Sequence, residues 1–286
     1  MNETLEILTL GSLILRRGSL LLTEILSNKA AALLVFLACT GRPHTRLQLA
    51  EFFWFERSEE QALSNLRTLL TRIRPHLGDN LIVTRETVFF NPAEPFYLDL
   101  AAIKNGLTIV HSKSPERDNL PVEQLNRLED TLSLYRGEFL AGFFVSDANG
   151  FEEWANQERE LLHSQVVEAL KIVSAYRMKL GDYKIAYRWA SRLLELDPFN
   201  EQALRQELFI LAHEGRRTAA MGKYKAYQQY LAQELDIAPE ARTTDLYEQI
   251  TRDSEQLDAP VNPYQVGSQA LALSGPSKRS GDAKKG

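Results

Sequence analysis

Apolar residues recur in two rhythms along this chain. At the start they form short extended runs at 5–10, 13–16 and 20–25, parted by Gly11-Ser12 and Arg17-Gly18-Ser19. Runs of that length between turn residues predict a small antiparallel sheet. From Ser27 the rhythm becomes helical. Ser27 is a favourable N-cap for a helix over 28–40, with Ala30, Leu33, Leu34 and Leu37 on its buried side. Gly41-Arg42-Pro43 ends it. Thr45 caps a second helix carrying Leu47, Leu49, Ala50, Phe52, Phe53 and Trp54. The third helix, over 59–78, has two faces. Leu63, Leu66, Leu70, Ile73 and Leu77 recur at steps of three and four and line one stripe. Ser64, Arg67, Thr68, Thr71, Arg72 and Arg74 point mainly to the other side, with Arg74 on the flank of the stripe. Pro75 removes a backbone donor and tightens or kinks the last turn. Residues 81–91 read as a hairpin with Arg85-Glu86-Thr87 near its tip.

Beyond that hairpin the pattern is helical throughout. Asn91-Pro92-Ala93-Glu94-Pro95 reads as a linker, after which Asp99 caps a helix to about His111. Residues 112–119 are polar and read as a loop. Leu125, Leu128, Leu132 and Tyr135 give the next stripe, and 136–143 is expected as a bent or short helical segment. A long helix follows over about 151–180. Gly181-Asp182-Tyr183 and Gly215-Arg216-Arg217 then lie 34 residues apart, as do Ala186 and Ala220. That is the tetratricopeptide period, and it predicts a right-handed stack of helix pairs with further helices at about 201–213, 218–235 and 240–251. From 254 the apolar period is lost in Ser, Gly, Pro, Ala and Lys, which predicts a disordered tail. The expected domains are 1–95, 96–253 and 254–286.

Charge sharpens the third helix. The whole chain carries −5, residues 1–95 are neutral, and 96–253 carry −6. Between 61 and 85 there are four Arg and one Asp. A solvated helix face normally mixes Glu with Lys; a face of Arg, Thr, Ser and Asn suits a helix lying in a DNA major groove. The chemistry of catalysis is missing. The five histidines are scattered, with no i, i+4 pair for zinc, and no G-x-S-x-G or GxxxxGK[ST] motif occurs. Glu152, Glu153, Glu158 and Glu160 read as surface faces rather than acid–base pairs. Neither an enzyme nor a cofactor or metal is expected. Cys39 alone allows no intrachain disulfide and suits a cytoplasmic protein, and no apolar run reaches membrane-spanning length.

Strands, three helices and a hairpin, in that order, resemble the OmpR/PhoB-type winged helix. The whole chain is similar to the SARP/AfsR-type regulators, in which such a winged helix precedes a bacterial transcriptional activator domain. The resemblance runs from about 5 to 252. It rests on Asn28-Lys29-Ala30 with LLVFLA, on RPHTRLQLAEFFW and SNLRTLLTRIRPHLG, and on LYRGEFLAGFF, FEEWANQERELL and GDYKIAYRWASRLLELDPFNEQALR. It implies a mainly α fold with small β sheets, an OmpR/PhoB-type winged helix followed by an all-α tetratricopeptide-like helical repeat domain. It also implies transcription activation on promoter repeats, with double-stranded DNA and RNA polymerase as partners and self-association on DNA. The recognition helix matches at Ser64, Asn65, Arg67, Thr68, Thr71, Arg72 and Arg74, and departs from the family at Pro75. Lys29 and the wing residue Arg85 are implied phosphate or groove contacts. A protein-interaction adaptor whose winged helix does not bind DNA is the alternative.

Overall fold

The computed structural model describes residues 3–108 and 120–252. The expected helix end at His111, the loop over 112–119 and the tail over 254–286 lie outside those residues. The chain divides into two compact units, Met1–Ala169 and Leu170–Gly286.

In the first unit, β1 (Leu5–Leu8) and β2 (Ile14–Arg17) pair antiparallel, and β3 (Leu20–Leu21) extends them. The third apolar run is thus a strand for two residues only. Leu22–Glu24 turns into a 3-10 helix, which takes the fully buried Leu22 into the core. Three helices follow: α1 (Asn28–Thr40), α2 (Arg46–Phe53) and α3 (Glu59–Leu77). Ser27 caps α1 as expected, accepting from the Ala30 amide, and Thr45 with Gln48 closes a capping box on α2. Helix α1 is buried on more than one stripe, from Ala30 through Ala38, because it is the central helix. The hairpin β5 (Leu81–Val83) and β6 (Thr87–Phe90) is joined by β4 (His44–Thr45) in the order β4-β6-β5.

The stretch after the hairpin corrects the sequence reading three times. Residues 96–98 form β7 (Phe96–Leu98), which lies parallel to β1 and completes a sheet ordered β3-β2-β1-β7. Asp99 then opens α4 (Asp99–Gly106) without capping it; the N-cap is Leu98. The Asp99 carboxylate turns to the end of β1 instead. It accepts from the Thr9 amide (2.7 Å), the Thr9 hydroxyl (2.8 Å), the Leu10 amide (3.1 Å) and Arg136 Nη2 (2.9 Å). Residues 136–143 are not helical. Phe139 makes a β-bridge with Leu10, and the Gly11 and Leu140 amides donate to Glu138 and Thr9 carbonyls. Helix α5 (Val122–Ser133) and the first part of α6 (Asn149–Leu180) finish this unit. Trp154 and Phe151 of α6 meet Phe36, Phe53 and Phe139 with ring centroids 5.1–5.8 Å apart. This shared aromatic core holds the winged helix and the following helices in one body.

The second unit contains α7 (Tyr183–Leu196), α8 (Glu201–His213), α9 (Arg217–Glu234) and α10 (Ala241–Arg252). The 34-residue repeat reappears as geometry. Gly181 and Gly215 have φ of +78° and +76°, a region that favours glycine. Ala186 and Ala220, five residues after each, are 0% and 1% exposed at the helix crossings. Leu204, Leu208, Leu211, Tyr224, Leu231, Leu246 and Ile250 form the core between α8, α9 and α10.

Candidate nucleic-acid interface

Helix α3 runs for nineteen residues, and its apolar side faces inward. Ala62, Leu66, Leu69, Leu70, Ile73 and Leu77 are buried. Leu69 and Ala62 widen the expected stripe, while Leu63 is only half-buried. Ser64, Asn65, Arg67, Thr68, Thr71, Arg72 and Arg74 are all exposed. No carboxylate lies between Gln61 and Leu77 in sequence, and Arg67, Arg72 and Arg74 form no ion pair among the described residues. Their guanidinium groups are therefore open to an external anion. The two acidic residues, Glu59 and Glu60, sit in the first turn, where they complement the helix dipole. The cationic face accordingly begins at the second turn.

The hydroxyls on this face have a defined polarity. Thr68 Oγ1 donates to the Ser64 carbonyl (3.1 Å) and Thr71 Oγ1 to the Arg67 carbonyl (2.9 Å). With their protons used in this way, the two oxygens face outward as acceptors. The face thus combines guanidinium donors with hydroxyl acceptors and the Asn65 amide.

The end of α3 is held by a residue the sequence reading did not single out. Arg17, on β2, donates to the Leu77 carbonyl (3.1 Å) and to Asn80 Oδ1. A cation at a helix C-terminus also offsets the dipole. Gly78 stops the helix at φ +51°, ψ −130°, a backbone region essentially reserved for glycine. Pro75 leaves the Thr71 carbonyl without its helical donor, yet α3 stays helical through Leu77. No short-range pattern could have found Arg17, which lies 60 residues from Leu77.

The hairpin tip is a fixed turn. Thr84 Oγ1 accepts from the Glu86 and Thr87 amides (3.2 and 2.9 Å), and Arg85 stands exposed upon it. Arg46, at the start of α2, ties the tip to the helices: its amide donates to the Glu86 carbonyl (2.9 Å) and its Nη1 to the Thr84 carbonyl (3.0 Å). Lys29 is placed differently from the other cations. Its Nζ donates to the Phe53 and Asp147 carbonyls (3.3 and 3.1 Å) and lies 5.2 Å from the Trp54 ring centroid. Burial lowers its pKa, Asp147 acts against that, and Arg57 adds to the lowering. In this position Lys29 joins α1 to the end of α2 and to the loop before α6.

Residues 99–251 match the family model of the bacterial transcriptional activator domain. The chain belongs to that family. Its activator domain comprises α4 through α10 and includes Asp99, the carboxylate that fastens it to β1. Over 264 residues the chain is 25% identical to the Regulatory protein AfsR of Streptomyces griseus, covering 91% of this chain and 26% of that protein. It thus spans about a quarter of the length of that curated relative. The solved structure of Mycobacterium tuberculosis EmbR, in complex with a low affinity phosphopeptide, is similar in fold. The TM-score is 0.61 at 20% identity, over 95% of this chain and 70% of that one. The chain thus resembles the SARP-type transcriptional regulators, with a winged helix followed by a helical domain, and its family is one of transcriptional regulators. Among the described residues no helix is long and apolar enough to cross a membrane, and no group of three His, Cys, Asp or Glu is arranged for a metal ion.

Proposed function

We propose that this chain is a sequence-specific DNA-binding transcriptional activator that reads promoter repeats with α3. The observation that carries the reading is the exposed face of Ser64, Asn65, Arg67, Thr68, Thr71, Arg72 and Arg74, free of carboxylates and backed by a buried leucine stripe. In a major groove the arginines pair bidentately with guanine or bond phosphates, and the Thr oxygens accept from base amino groups. Arg85 on the wing reaches the backbone or the adjacent minor groove. Lys29 is not assigned to the DNA, because carbonyls and an aromatic ring already hold its ammonium. Residues 1–95 supply the reading and 96–253 the contacts with RNA polymerase or a neighbouring protomer on DNA.

Selection of bound sites from random double-stranded DNA tests the proposal. The expected product is a repeated half-site whose spacing reports side-by-side protomers. Recovery of no enriched sequence would support the adaptor reading, in which the winged helix serves protein contacts alone.

A further inference from the structure

One end of the second unit carries exposed apolar side chains within an acidic frame. Phe199, in the turn between α7 and α8, stacks on Tyr230 of α9 with ring centroids 5.4 Å apart, yet the two rings are 42% and 36% exposed. The turn after α9 adds Leu235 and Ile237, 48% and 52% exposed, on either side of Asp236, whose φ is +54°. That turn is held in place: both Glu201 oxygens accept from the Glu240 amide at 2.9 Å, and Arg205 Nη1 bonds Glu240 and Thr243 at 2.8 Å. One turn before Tyr230 lies Tyr227, 8% exposed, whose hydroxyl has no hydrogen-bond partner among the described residues. Burial raises its pKa to about 12, with Glu201, Asp197 and Glu240 adding to the rise and Arg205 opposing it.

The sequence around this patch is mainly acidic, with Arg205 as a cation within it, paired to Glu201 and Glu240. Residues 195–204 and 226–240 contain six carboxylates and no Lys or Arg. Glu234 and Asp236 are exposed and form no ion pair among the described residues. A phosphate backbone is repelled by such a surface. Exposed apolar side chains set among charged ones are the signature of a protein contact.

We infer that Phe199, Tyr230, Leu235 and Ile237 form a docking surface for a Lys/Arg-rich segment of a partner protein that carries a large apolar anchor. The anchor covers the exposed rings and the two aliphatic side chains. A neighbouring guanidinium lies over the Tyr230 ring, and further cations meet Glu234 and Asp236. The inference deepens the reading that the helical domain makes protein contacts, and it does not depend on DNA binding.

The test is fluorescence anisotropy of the full chain with a labelled amphipathic peptide bearing arginine on one face and leucine on the other. Saturable binding that weakens with salt is expected. Phe199→Ala and Tyr230→Ala should each weaken it about tenfold, as truncated central anchors do. A peptide with serine in place of leucine should fail to bind, and Asp236→Lys should weaken the original. Both ring residues are exposed, so the melting temperature serves as the folding control. Equal binding by the serine peptide, or binding unchanged in the Phe199→Ala, Tyr230→Ala double variant, overturns the inference. So does a loss of self-association in that variant without a loss of peptide, which assigns the patch to a second copy. A gel shift retained in these variants keeps the DNA reading separate from this outcome.

Discussion

Two buried polar residues, one inside the winged helix and one at its join to α4, each have a measurable consequence. His44 is 5% exposed, with Nε2 2.8 Å from Thr40 Oγ1 and its ring against Phe36. Burial, then Arg42, lowers its pKa below the ordinary 6.5. The unfolded chain therefore takes up the proton first as pH falls. The stability associated with neutral His44 is complete above pH 6.5 and declines as pH drops from there towards the lowered folded value. Urea unfolding across that window should show the decline, and His44→Gln should flatten it. Asp99 is the second residue. Asp99→Ala leaves the Thr9 and Leu10 amides buried without their acceptor and should cost on the order of 3 kcal/mol. Arg136 is half-exposed, so Arg136→Ala should cost only about 0–1 kcal/mol by the same measurement. Equal losses would place the stabilisation in the ion pair rather than in the backbone contacts.

Among the elements, those with their own amphipathic period were readable from the sequence. The two faces of α3, the Ser27 and Thr45 caps and the 34-residue repeat all rest on spacing within a few turns. What escaped depends on partners far away in the chain. Strand β7 exists because β1 offers it an edge, the Asp99 carboxylate because Thr9 and Leu10 need an acceptor, and the Leu10–Phe139 bridge because 136–143 closes over the sheet. Arg17 escaped for the same reason. At the repeat, Ala186 is fully buried where α7 meets α8. Ala186→Leu should overpack this crossing and lower stability by roughly 1–3 kcal/mol, seen as a reduced melting temperature. At the wing, Arg85 stands exposed on a fixed turn, and the proposed reading sets it against the DNA backbone. Arg85→Ala should weaken binding by a similar factor on all DNA sequences and reduce the salt slope by about one.

At the scale of the whole molecule, surfaces of opposite charge lie on separate segments: residues 1–95 are neutral with a cationic α3 face, and 96–253 carry −6. On the proposed reading, the cationic face of α3 selects the DNA and the acidic helical domain receives proteins. Fold and family could be read from the order of elements and repeats, whereas the carbonyl-held Lys29 and the acidic aromatic patch required side-chain positions. The central claim is that α3 reads bases, and a gel-shift salt titration of wild-type and Arg72→Ala protein tests it most directly, on a selected site and on unrelated DNA. If Arg72 pairs with a base, the variant loses about 1–3 kcal/mol on the selected site, and its preference over unrelated DNA falls by the same factor. A salt-insensitive complex, or an Arg72→Ala variant that keeps the full preference of the wild type, would contradict the account.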